Sequence, residues 1–279
     1  MLSYQHGFHA GNFADVHKHF ILSLIFAALN KKAKPWSYLE THGGAACYDF
    51  RSEQAQKTAE YRDGILKIWQ QSETPEALAP YLNEVKALNG SGNLALYPGS
   101  PQLAAQFARE GDKVAIMELH PGEYRQIKQH FSRNGQVAVH HRDGYEGVSA
   151  LLPPKPNRGL VLIDPAYEVK AEYLQVAKYI KDAQQRWPNG SFAIWFPLLK
   201  AGQHQAMIDK IVASGMRRIF LSEFFAQPSD SARMFGSGML LINPPWQLDQ
   251  QIASVTPWLA QRLAMAGAEK PRETWLVPE

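Results

Sequence analysis

The feature that most constrains the fold is a short apolar run that ends in an acid, a proline and an aromatic residue. This run is Gly159–Tyr167, with the sequence Gly-Leu-Val-Leu-Ile-Asp-Pro-Ala-Tyr. Apolar β-forming residues that stop at a turn-forming proline are typical of a buried strand. In open α/β sheets, ligands bind beyond the carboxyl ends of the strands. The sequence therefore predicts that Asp164, Pro165 and Tyr167 lie at a ligand-binding edge.

These three groups suit the methylation of an exocyclic amine on a nucleobase. The amine of adenine is a weak nucleophile because its lone pair is delocalised into the ring. The Asp164 carboxylate and the Pro165 carbonyl would accept its two N–H bonds, and both would bind the nitrogen more tightly as positive charge develops there. Tyr167 would stack on the base. A plainer interpretation, a turn that simply ends a strand, stays open at this point because Asp-Pro is common turn chemistry.

A second run, Met239–Trp246, has nearly the same pattern. Its sequence, Met-Leu-Leu-Ile-Asn-Pro-Pro-Trp, matches the Asp/Asn/Ser-Pro-Pro-aromatic motif of amino-methyltransferases better than the first run does. Its position near the C-terminus argues against that role, since the motif usually follows the fourth strand of the fold. We interpret Asn243–Trp246 as a strand end that packs near the pocket of the first run.

Other predicted strands end in acids, in the order expected of a nucleotide-binding sheet. Trp36–Ala46 is typical of a strand followed by a small-residue loop, whose glycines let the backbone approach a ligand closely. Lys113–Glu118 ends in an acid suited to ribose hydroxyls, and Val137–Gly144 ends beside an acid suited to an adenine amine. The order indicates a site for a nucleotide-type cofactor, S-adenosylmethionine (SAM). The acids are Glu40, Glu118, Asp143 and Asp164.

The region before residue 97 predicts one long helix and then an insertion. Apolar residues recur at helical spacing after Asp15, which can cap the helix, and Lys18 lies on another face, free to reach the site. Between Asp49 and Leu96 the strand–helix alternation lapses, and Glu53–Gln70 and Pro75–Leu88 are typical of two helices. We interpret this region as a small helical insertion whose apolar stripe packs against the main domain.

The alternation resumes and continues to the C-terminus. Thr274–Val277 predicts an additional edge strand. The polar segment Gln227–Gly238 is long for a loop of a compact domain, and such loops are usually functional. We expect Arg233 in this loop to contact a nucleic-acid backbone. Further strands are predicted at Phe192–Phe196, Arg218–Ser222 and Met239–Ile242.

Composition agrees with a soluble enzyme that has one large α/β core. The net charge of +3 is only mildly basic, so nucleic acid would bind at a local patch, for which Lys31–Lys34 and Arg217–Arg218 are candidates. A solvated helix end is the plainer interpretation of Lys31–Lys34. The single cysteine, Cys47, indicates a reducing cytoplasm. No stretch approaches the length of a membrane span, and no secretory signal is visible.

The N-terminal run Met1–His19 is distinctive in its histidines and glycines, and other distinctive segments follow along the chain. In these segments the chain closely resembles the RlmJ family, bacterial 23S rRNA (adenine-N6)-methyltransferases. The resemblance spans essentially the whole chain. The further segments are Glu40–Ala45, Glu53–Trp69, Tyr97–Pro101, Glu118–Pro121, Asp143–Gly144, Asp164–Tyr167, Ser237–Gly238, Asn243–Trp246 and Trp275–Glu279.

The resemblance implies a class I SAM-dependent methyltransferase of α/β fold, with a Rossmann-like, mostly parallel seven-stranded sheet and a small helical insertion. Residues 1–48 and 97–279 would form the methyltransferase domain, and residues 49–96 the inserted helical subdomain. The implied activity is methylation of the N6 amine of a single adenine in 23S rRNA, the adenine-2030 type site. The enzyme would be a cytoplasmic monomer acting on free rRNA or on an early precursor particle, with no membrane association.

The resemblance also assigns roles to individual residues. Asp164, Pro165 and Tyr167 would be catalytic. A rival interpretation, a metal site formed by the N-terminal histidines His6, His9, His17 and His19, lacks the spacing that metal sites use, so no metal is expected. The expected SAM contacts are His19, His42, Ser100, Glu118, Asp143, Gly144, Lys18, Glu40 and Asp164, and the expected substrate contacts are Tyr4, His6, Lys18, Tyr167 and Arg233.

Three departures from the family pattern bear on activity rather than on fold. Ala166 stands where proline is usual, Gly43–Cys47 is a variant glycine loop, and Glu40 stands where aspartate is usual. Two alternatives therefore remain open: an adenine-N6 DNA methyltransferase, and a SAM-binding protein with weakened catalysis. None of the departures removes a reacting group.

Overall fold

Ten strands form within residues 5–90 and 92–279, which are the residues described by the computed structural model. Eight of the strands make one sheet, in the order β10-β8-β9-β7-β6-β1-β4-β5, and β2 and β3 make a small sheet of their own. The strands are β1 (Ser37–Glu40), β2 (Cys47–Asp49), β3 (Leu96–Pro98), β4 (Lys113–Glu118), β5 (Val137–His141), β6 (Gly159–Ile163), β7 (Ser191–Leu198), β8 (Ile219–Phe225), β9 (Gly236–Ile242) and β10 (Arg272–Val277).

The large sheet is parallel in one part and antiparallel in the other. The five strands from β5 to β7 run parallel, whereas β9 is antiparallel to both of its neighbours, β7 and β8. The predicted edge strand at the C-terminus is confirmed as β10, which pairs antiparallel with β8. The prediction of seven strands is therefore wrong by one, because β10 extends the sheet beyond β8.

Helices cover both faces of this sheet and divide its core in two. Leu160 and Leu162 of β6 pack on the same side as α1, whereas Val161 and Ile163 pack on the side of α7, because successive side chains of a strand point to opposite faces. The helices of the described residues are α1 (Phe13–Asn30), α2 (Glu53–Thr58), α3 (Ala79–Asn89), α4 (Ser100–Phe107), α5 (Pro121–His130), α6 (Gly144–Leu151), α7 (Glu172–Arg186), α8 (Gln203–Val212) and α9 (Leu248–Leu263).

Helix α1 begins earlier than the sequence indicated. The capping residue is Asn12, whose side chain accepts hydrogen bonds from the backbone N–H groups of Ala14 (2.9 Å) and Asp15 (3.0 Å). The prediction of Asp15 as the cap is wrong: it lies in the first turn, is 1% exposed and accepts a hydrogen bond from Gly11 N at 2.9 Å. A carboxylate buried at this depth needs further partners.

The inserted region is less helical than predicted. The predicted helix Glu53–Gln70 is wrong beyond Thr58, because Ala59 adopts a left-handed conformation (φ 53°) that ends α2. Two short 3-10 turns follow, Glu60–Arg62 and Ile65–Lys67. The second predicted helix is largely confirmed, as a 3-10 turn at Glu76–Leu78 followed by α3.

The apolar stripe of the insertion is confirmed as a packing surface. Ile65, Ile68 and Trp69 are at most 6% exposed and belong to the same apolar cluster as α1. β2 and β3 pair antiparallel at the two ends of the insertion. The division into residues 1–48 with 97–279 and an inserted unit 49–96 stays a prediction. Within the described part of the chain, no helix has the length and apolar character to cross a membrane.

Candidate active site

A cavity of about 360 Å³ lies at the carboxyl ends of β1, β4, β6 and β7. The strand order reverses direction between β1 and β6, since the chain continues from β1 to β4 on one side and from β6 to β7 on the other. Open α/β sheets bind ligands at such a switch point because the loops diverge there and leave a crevice. Asp164 directly follows β6 at this point and lines the cavity.

An ion cluster of one lysine and two aspartates lies on the floor of the cavity. Lys18 Nζ of α1 is 2.6 Å from Asp164 Oδ2 and 3.2 Å from Asp15 Oδ1. Burial alone would lower the pKa of Lys18, but the charges of Asp164 and Asp15 outweigh it and raise that pKa above its usual value. Lys18 is therefore a fixed cation that reaches the cavity, and its role in binding stays a prediction.

Asp15 is a residue of the site that the sequence indicated only as a cap. His6 Nε2 lies 2.8 Å from Asp15 Oδ2, so the aspartate links the segment before α1 to Lys18. Burial would raise the pKa of Asp15, but His6 and Lys18 hold it well below its usual range. His6 lines the cavity, and its predicted contact with substrate stays a prediction. Tyr4, the other substrate residue predicted in this segment, lies outside the described residues.

His19 and Ser100 line the cavity beside this cluster, and Glu40 lies behind them. His19 Nδ1 is hydrogen-bonded to Tyr97 Oη at 2.9 Å, and its Nε2 has no hydrogen-bond partner in the described residues. Burial lowers the pKa of His19 to about 3, so the ring is neutral. Ser100 donates a hydrogen bond to Glu40, whose pKa burial raises to about 8.

The glycine loop after β1 packs against Glu118 at the end of β4. Gly44 N donates to Glu118 Oε2 at 2.7 Å, and His120 N donates to Oε1 at 2.6 Å. Gly44 has a positive φ of 58°, and a Cβ on Gly43 would lie 2.4 Å from Ile116 Cγ2. The loop therefore needs both glycines to bring its backbone to the cavity wall.

Of the three other residues predicted to contact the cofactor, His42, Asp143 and Gly144, only His42 lines the cavity. His42 lines the cavity, and burial lowers its pKa to about 4. Asp143 is not among the cavity-lining residues, and its side chain caps α6 by accepting from Glu146 N at 3.0 Å. Gly144 lies behind β1, where a Cβ would be 1.9 Å from Thr41 O, so glycine lets α6 approach the strand exit.

Tyr167 is held in a strained backbone conformation at the cavity. Its φ of 52° is unusual for a bulky residue, and such strain concentrates at functional sites. The phenol donates a hydrogen bond to Trp195 O at 2.9 Å, and the ring centroid lies 4.3 Å from that of Tyr173. The side chain is only 7% exposed, so little of the ring faces the cavity.

Trp195 is a cavity-lining residue that the sequence analysis missed. It lies in β7, which the sequence predicted as a plain apolar strand, and Lys18 Nζ is 5.6 Å from the centre of its ring. Strand alternation could have assigned Trp195 to a face of the sheet, but not to a cavity.

Several other predicted residues lie away from the cavity. Arg233 is exposed in the loop before β9 and does not line the cavity, although its neighbour Met234 does. Asn243–Trp246 follows β9, which runs antiparallel to β7, so it lies at the opposite edge of the sheet with Trp246 81% exposed. The strand-end interpretation of this motif is confirmed, and its placement near the pocket is wrong. Arg217–Arg218 is also at that edge and contacts Glu279.

The four N-terminal histidines contact four different sets of side chains. His6 contacts Asp15, His9 contacts Glu60, His17 contacts two serines, and His19 contacts Tyr97. Among residues 5–90 and 92–279, no three His, Cys, Asp or Glu side chains are arranged to hold a metal ion.

The residues around the cavity fit SAM. A buried imidazole nitrogen that makes no hydrogen bond in the described residues (His19 Nε2, 3.9 Å from Asp15 Oδ1) and a fixed ammonium (Lys18 Nζ) suit the carboxylate of an amino acid. The Gly43–Gly44 backbone and the Glu118 carboxylate form the other wall, where a nucleoside would contact acceptor oxygens.

Comparisons with known proteins identify the same family of methyltransferases over most or all of the chain. A family model described as "Ribosomal RNA large subunit methyltransferase D, RlmJ" matches residues 33–277. Two proteins named "Ribosomal RNA large subunit methyltransferase J" are similar over 100% of both chains, at 45% identity in Escherichia coli (strain K12) and 42% in Haemophilus influenzae.

A solved structure has the same fold over nearly the whole chain. A crystal structure of a protein from Legionella pneumophila str. Philadelphia 1 is 34% identical and has a TM-score of 0.85, covering 95% of this chain and 97% of that one. The cavity at the switch point, its SAM-compatible walls and these similarities all indicate a methyltransferase. The chain belongs to the RlmJ family of large-subunit ribosomal RNA methyltransferases, enzymes that use SAM as methyl donor.

Proposed function

We propose that this protein transfers the methyl group of SAM to the N6 amine of one adenine in 23S rRNA, the adenine-2030 type site. One observation carries the proposal. Asp164 and Pro165 leave β6 at the switch point of the sheet, and Lys18 orients the Asp164 carboxylate at 2.6 Å inside the cavity. A carboxylate and an adjacent backbone carbonyl are the two acceptors that an exocyclic NH2 group requires.

SAM supplies an electrophilic methyl group on a positively charged sulfur. We assign its amino-acid portion to Lys18, His19 and Ser100, and its nucleoside to Glu118 and His42, all of which line the cavity. Glu40, Asp143 and Gly144 support these contacts from behind, by holding Ser100, the start of α6 and the exit of β1.

The protein's part in methyl transfer is to hold the amine and to stabilise its developing charge. Asp164 and the Pro165 carbonyl accept the two N–H bonds and turn the nitrogen lone pair towards the methyl carbon. As the new N–C bond forms and the C–S bond breaks, positive charge grows on N6 and strengthens both contacts. The amine then loses one proton to solvent through Asp164. Tyr167 lines the cavity with only a small part of its ring, and its phenol donates to the Trp195 carbonyl beside the space for the base.

The target adenine must leave its helix before it can enter this cavity, at a cost of a few kcal/mol when it is paired and stacked. His6 lines the cavity and would contact the extruded nucleotide, a role that we also assign to Tyr4 from the family resemblance. Lys170, Lys200 and Arg233 are exposed on the loops around the cavity and suit the flanking phosphates. We assign the activity to a cytoplasmic monomer that acts on free rRNA or on an early precursor particle.

Transfer of labelled methyl from SAM tests the proposal. Unmodified 23S rRNA, duplex DNA and no nucleic acid are each incubated with the enzyme, and digested nucleosides are separated. Label in N6-methyladenine of the rRNA alone is the expected result. Label in DNA alone would make the protein an adenine-N6 DNA methyltransferase, and SAM binding without transfer to any substrate, precursor particles included, would make it a SAM-binding protein.

A further inference from the structure

Three buried polar side chains lie between α1 and the antiparallel part of the sheet. His17 of α1, Ser222 of β8 and Ser237 of β9 are each 0% exposed. Their neighbours on this face, Phe224 and Met239, are apolar. Polar groups buried in such an interface cost stability unless they are paired, so their presence calls for an explanation.

Strand register brings one of these serines next to Trp195. In the antiparallel pair β7–β9, Trp195 is opposite Met239 and Pro197 is opposite Ser237. Side chains two residues apart share a face of the sheet, so Trp195 and Ser237 are diagonal neighbours. Trp195 Nε1 donates to Ser237 Oγ at 3.0 Å.

The hydrogen bonds continue from Ser237 into α1. Ser237 Oγ is 3.0 Å from His17 Nδ1, and His17 Nε2 is 3.0 Å from Ser222 Oγ. Indole can only donate, so Ser237 Oγ accepts from Trp195 Nε1–H and can donate its own O–H to His17 Nδ1. His17 Nε2–H then donates to Ser222. Burial lowers the pKa of His17 to about 3, which keeps the ring in the neutral form that this chain of bonds requires.

The same tryptophan also lies beside Lys18 and Tyr167 in the cavity. Trp195 is half-buried and lines the cavity, its carbonyl accepts from the phenol of Tyr167, and Lys18 Nζ lies 5.6 Å from its ring. Lys18 in turn binds Asp164. An amine bound to Asp164 therefore carries its ring into the space next to Trp195.

We propose that Trp195 is the wall that sets the plane of the target base, and that Ser237 and His17 are positioning residues that fix the indole. The inference rests on the proposed function and deepens it. Rotating the indole away would leave its N–H unpaired and remove one of the two hydrogen-bond partners of Ser237 Oγ, and unpaired buried polar groups are disfavoured. The α1 helix thus holds two sides of the pocket, the carboxylate through Lys18 and the aromatic wall through His17.

Two substitutions separate this role from general stability. Trp195→Phe keeps an aromatic ring but removes the donor, and Ser237→Ala removes the acceptor. We expect each to lower kcat on 23S rRNA about tenfold, because misplacing a substrate by a fraction of an ångström slows reaction. The KM for RNA and the affinity for SAM stay within twofold, and the double variant is no slower than either single one. Ser191→Ala, which removes a hydroxyl at the far end of β7, is the matched control with unchanged kcat.

A second readout does not depend on activity. The indole N–H resonance of Trp195, assigned by its loss in Trp195→Phe, shifts in Ser237→Ala and His17→Leu but not in Ser191→Ala. Wild-type kcat in Ser237→Ala, multiplicative losses in the double variant, or an unmoved resonance would each overturn the inference. If wild-type enzyme makes no N6-methyladenine while the resonance still shifts, the proposed function fails and the indole contact stands.

Discussion

Two nearly identical motifs end strands of this sheet, and they lie at opposite edges. Asp164–Tyr167 follows the parallel strand β6 and lines the cavity, whereas Asn243–Trp246 follows β9, which runs the other way. Asn243 Nδ2 donates to the carbonyls of Pro188 and Gly190, and Trp246 is 81% exposed. The first motif therefore has its polar group beside a cavity, and the second uses its polar group to hold two loops together. The direction of the preceding strand decides which motif lies at the cavity, and the match to the motif pattern does not.

The largest difference between the two motifs is expected in catalysis. Asp164→Ala removes an acceptor for the target amine and should lower kcat at least a hundredfold while SAM still binds, because such groups act on developing charge. Asn243→Ala should leave kcat within twofold and lower stability by about 1–3 kcal/mol, since two carbonyls lose their donor. Steady-state methyl transfer and thermal unfolding of both variants measure this. Equal loss of kcat in the two variants would contradict the comparison.

A smaller effect, on the affinity for SAM, is expected from substitution of Glu118 at the end of β4. Glu118→Ala should weaken SAM binding about tenfold, because one acceptor of the nucleoside is lost and the Gly44 and His120 N–H groups lose theirs. Calorimetric titration with SAM measures the change. An exposed glutamate at a distance, Glu76→Ala, is the control. Unchanged affinity in Glu118→Ala would show that this carboxylate only holds the glycine loop.

Glu40 lies on the same edge and makes stability depend on pH. Burial raises its pKa from 4.5 to about 8, so the folded state binds a proton that the unfolded state releases. Its contribution to stability is complete below pH 4.5, falls as pH rises, and is lost by about pH 8. In Glu40→Gln, the free energy of unfolding should therefore fall less steeply between pH 4.5 and about pH 8, by up to about 1.4 kcal/mol per pH unit. Denaturant unfolding at several pH values tests this, with Asp209→Asn as control; an unchanged slope would contradict it.

The smallest effect concerns the third position of the motifs, which is alanine in the first and proline in the second. Ala166→Pro makes the first motif as proline-rich as the second and should hold the Pro165 carbonyl in an extended conformation, a gain of about 0.4–1 kcal/mol in preorganisation. We expect kcat to stay level or rise up to about fivefold in single-turnover assays. A large loss would show that the Ala166 backbone is needed as it is.

The main errors of the sequence analysis arose where distant segments meet. Asp15 was predicted as a cap because it precedes an apolar helix, but the cap is Asn12 and Asp15 binds His6 and Lys18. The long helix at Glu53 stops at Ala59, and nearby Gly64 approaches the backbone of Gly11 closely. Trp195 was missed because a tryptophan inside an apolar strand has no local sign of a cavity. Local patterns carry no information about these contacts.

The sequence alone determined the α/β class, the strand ends that carry acids and the RlmJ-family likeness, and it identified Asp164 and Lys18 as candidate site residues. These follow from periodicity and from motifs that are contiguous in the chain. Only the tertiary structure decided which strand end faces the cavity, that an eighth strand extends the sheet, and that Asp15 and Trp195 belong to the site. The reason is physical: strand direction, register and buried ion pairs are set by partners far away in the chain, and their energies exist only once the sheet and α1 have packed.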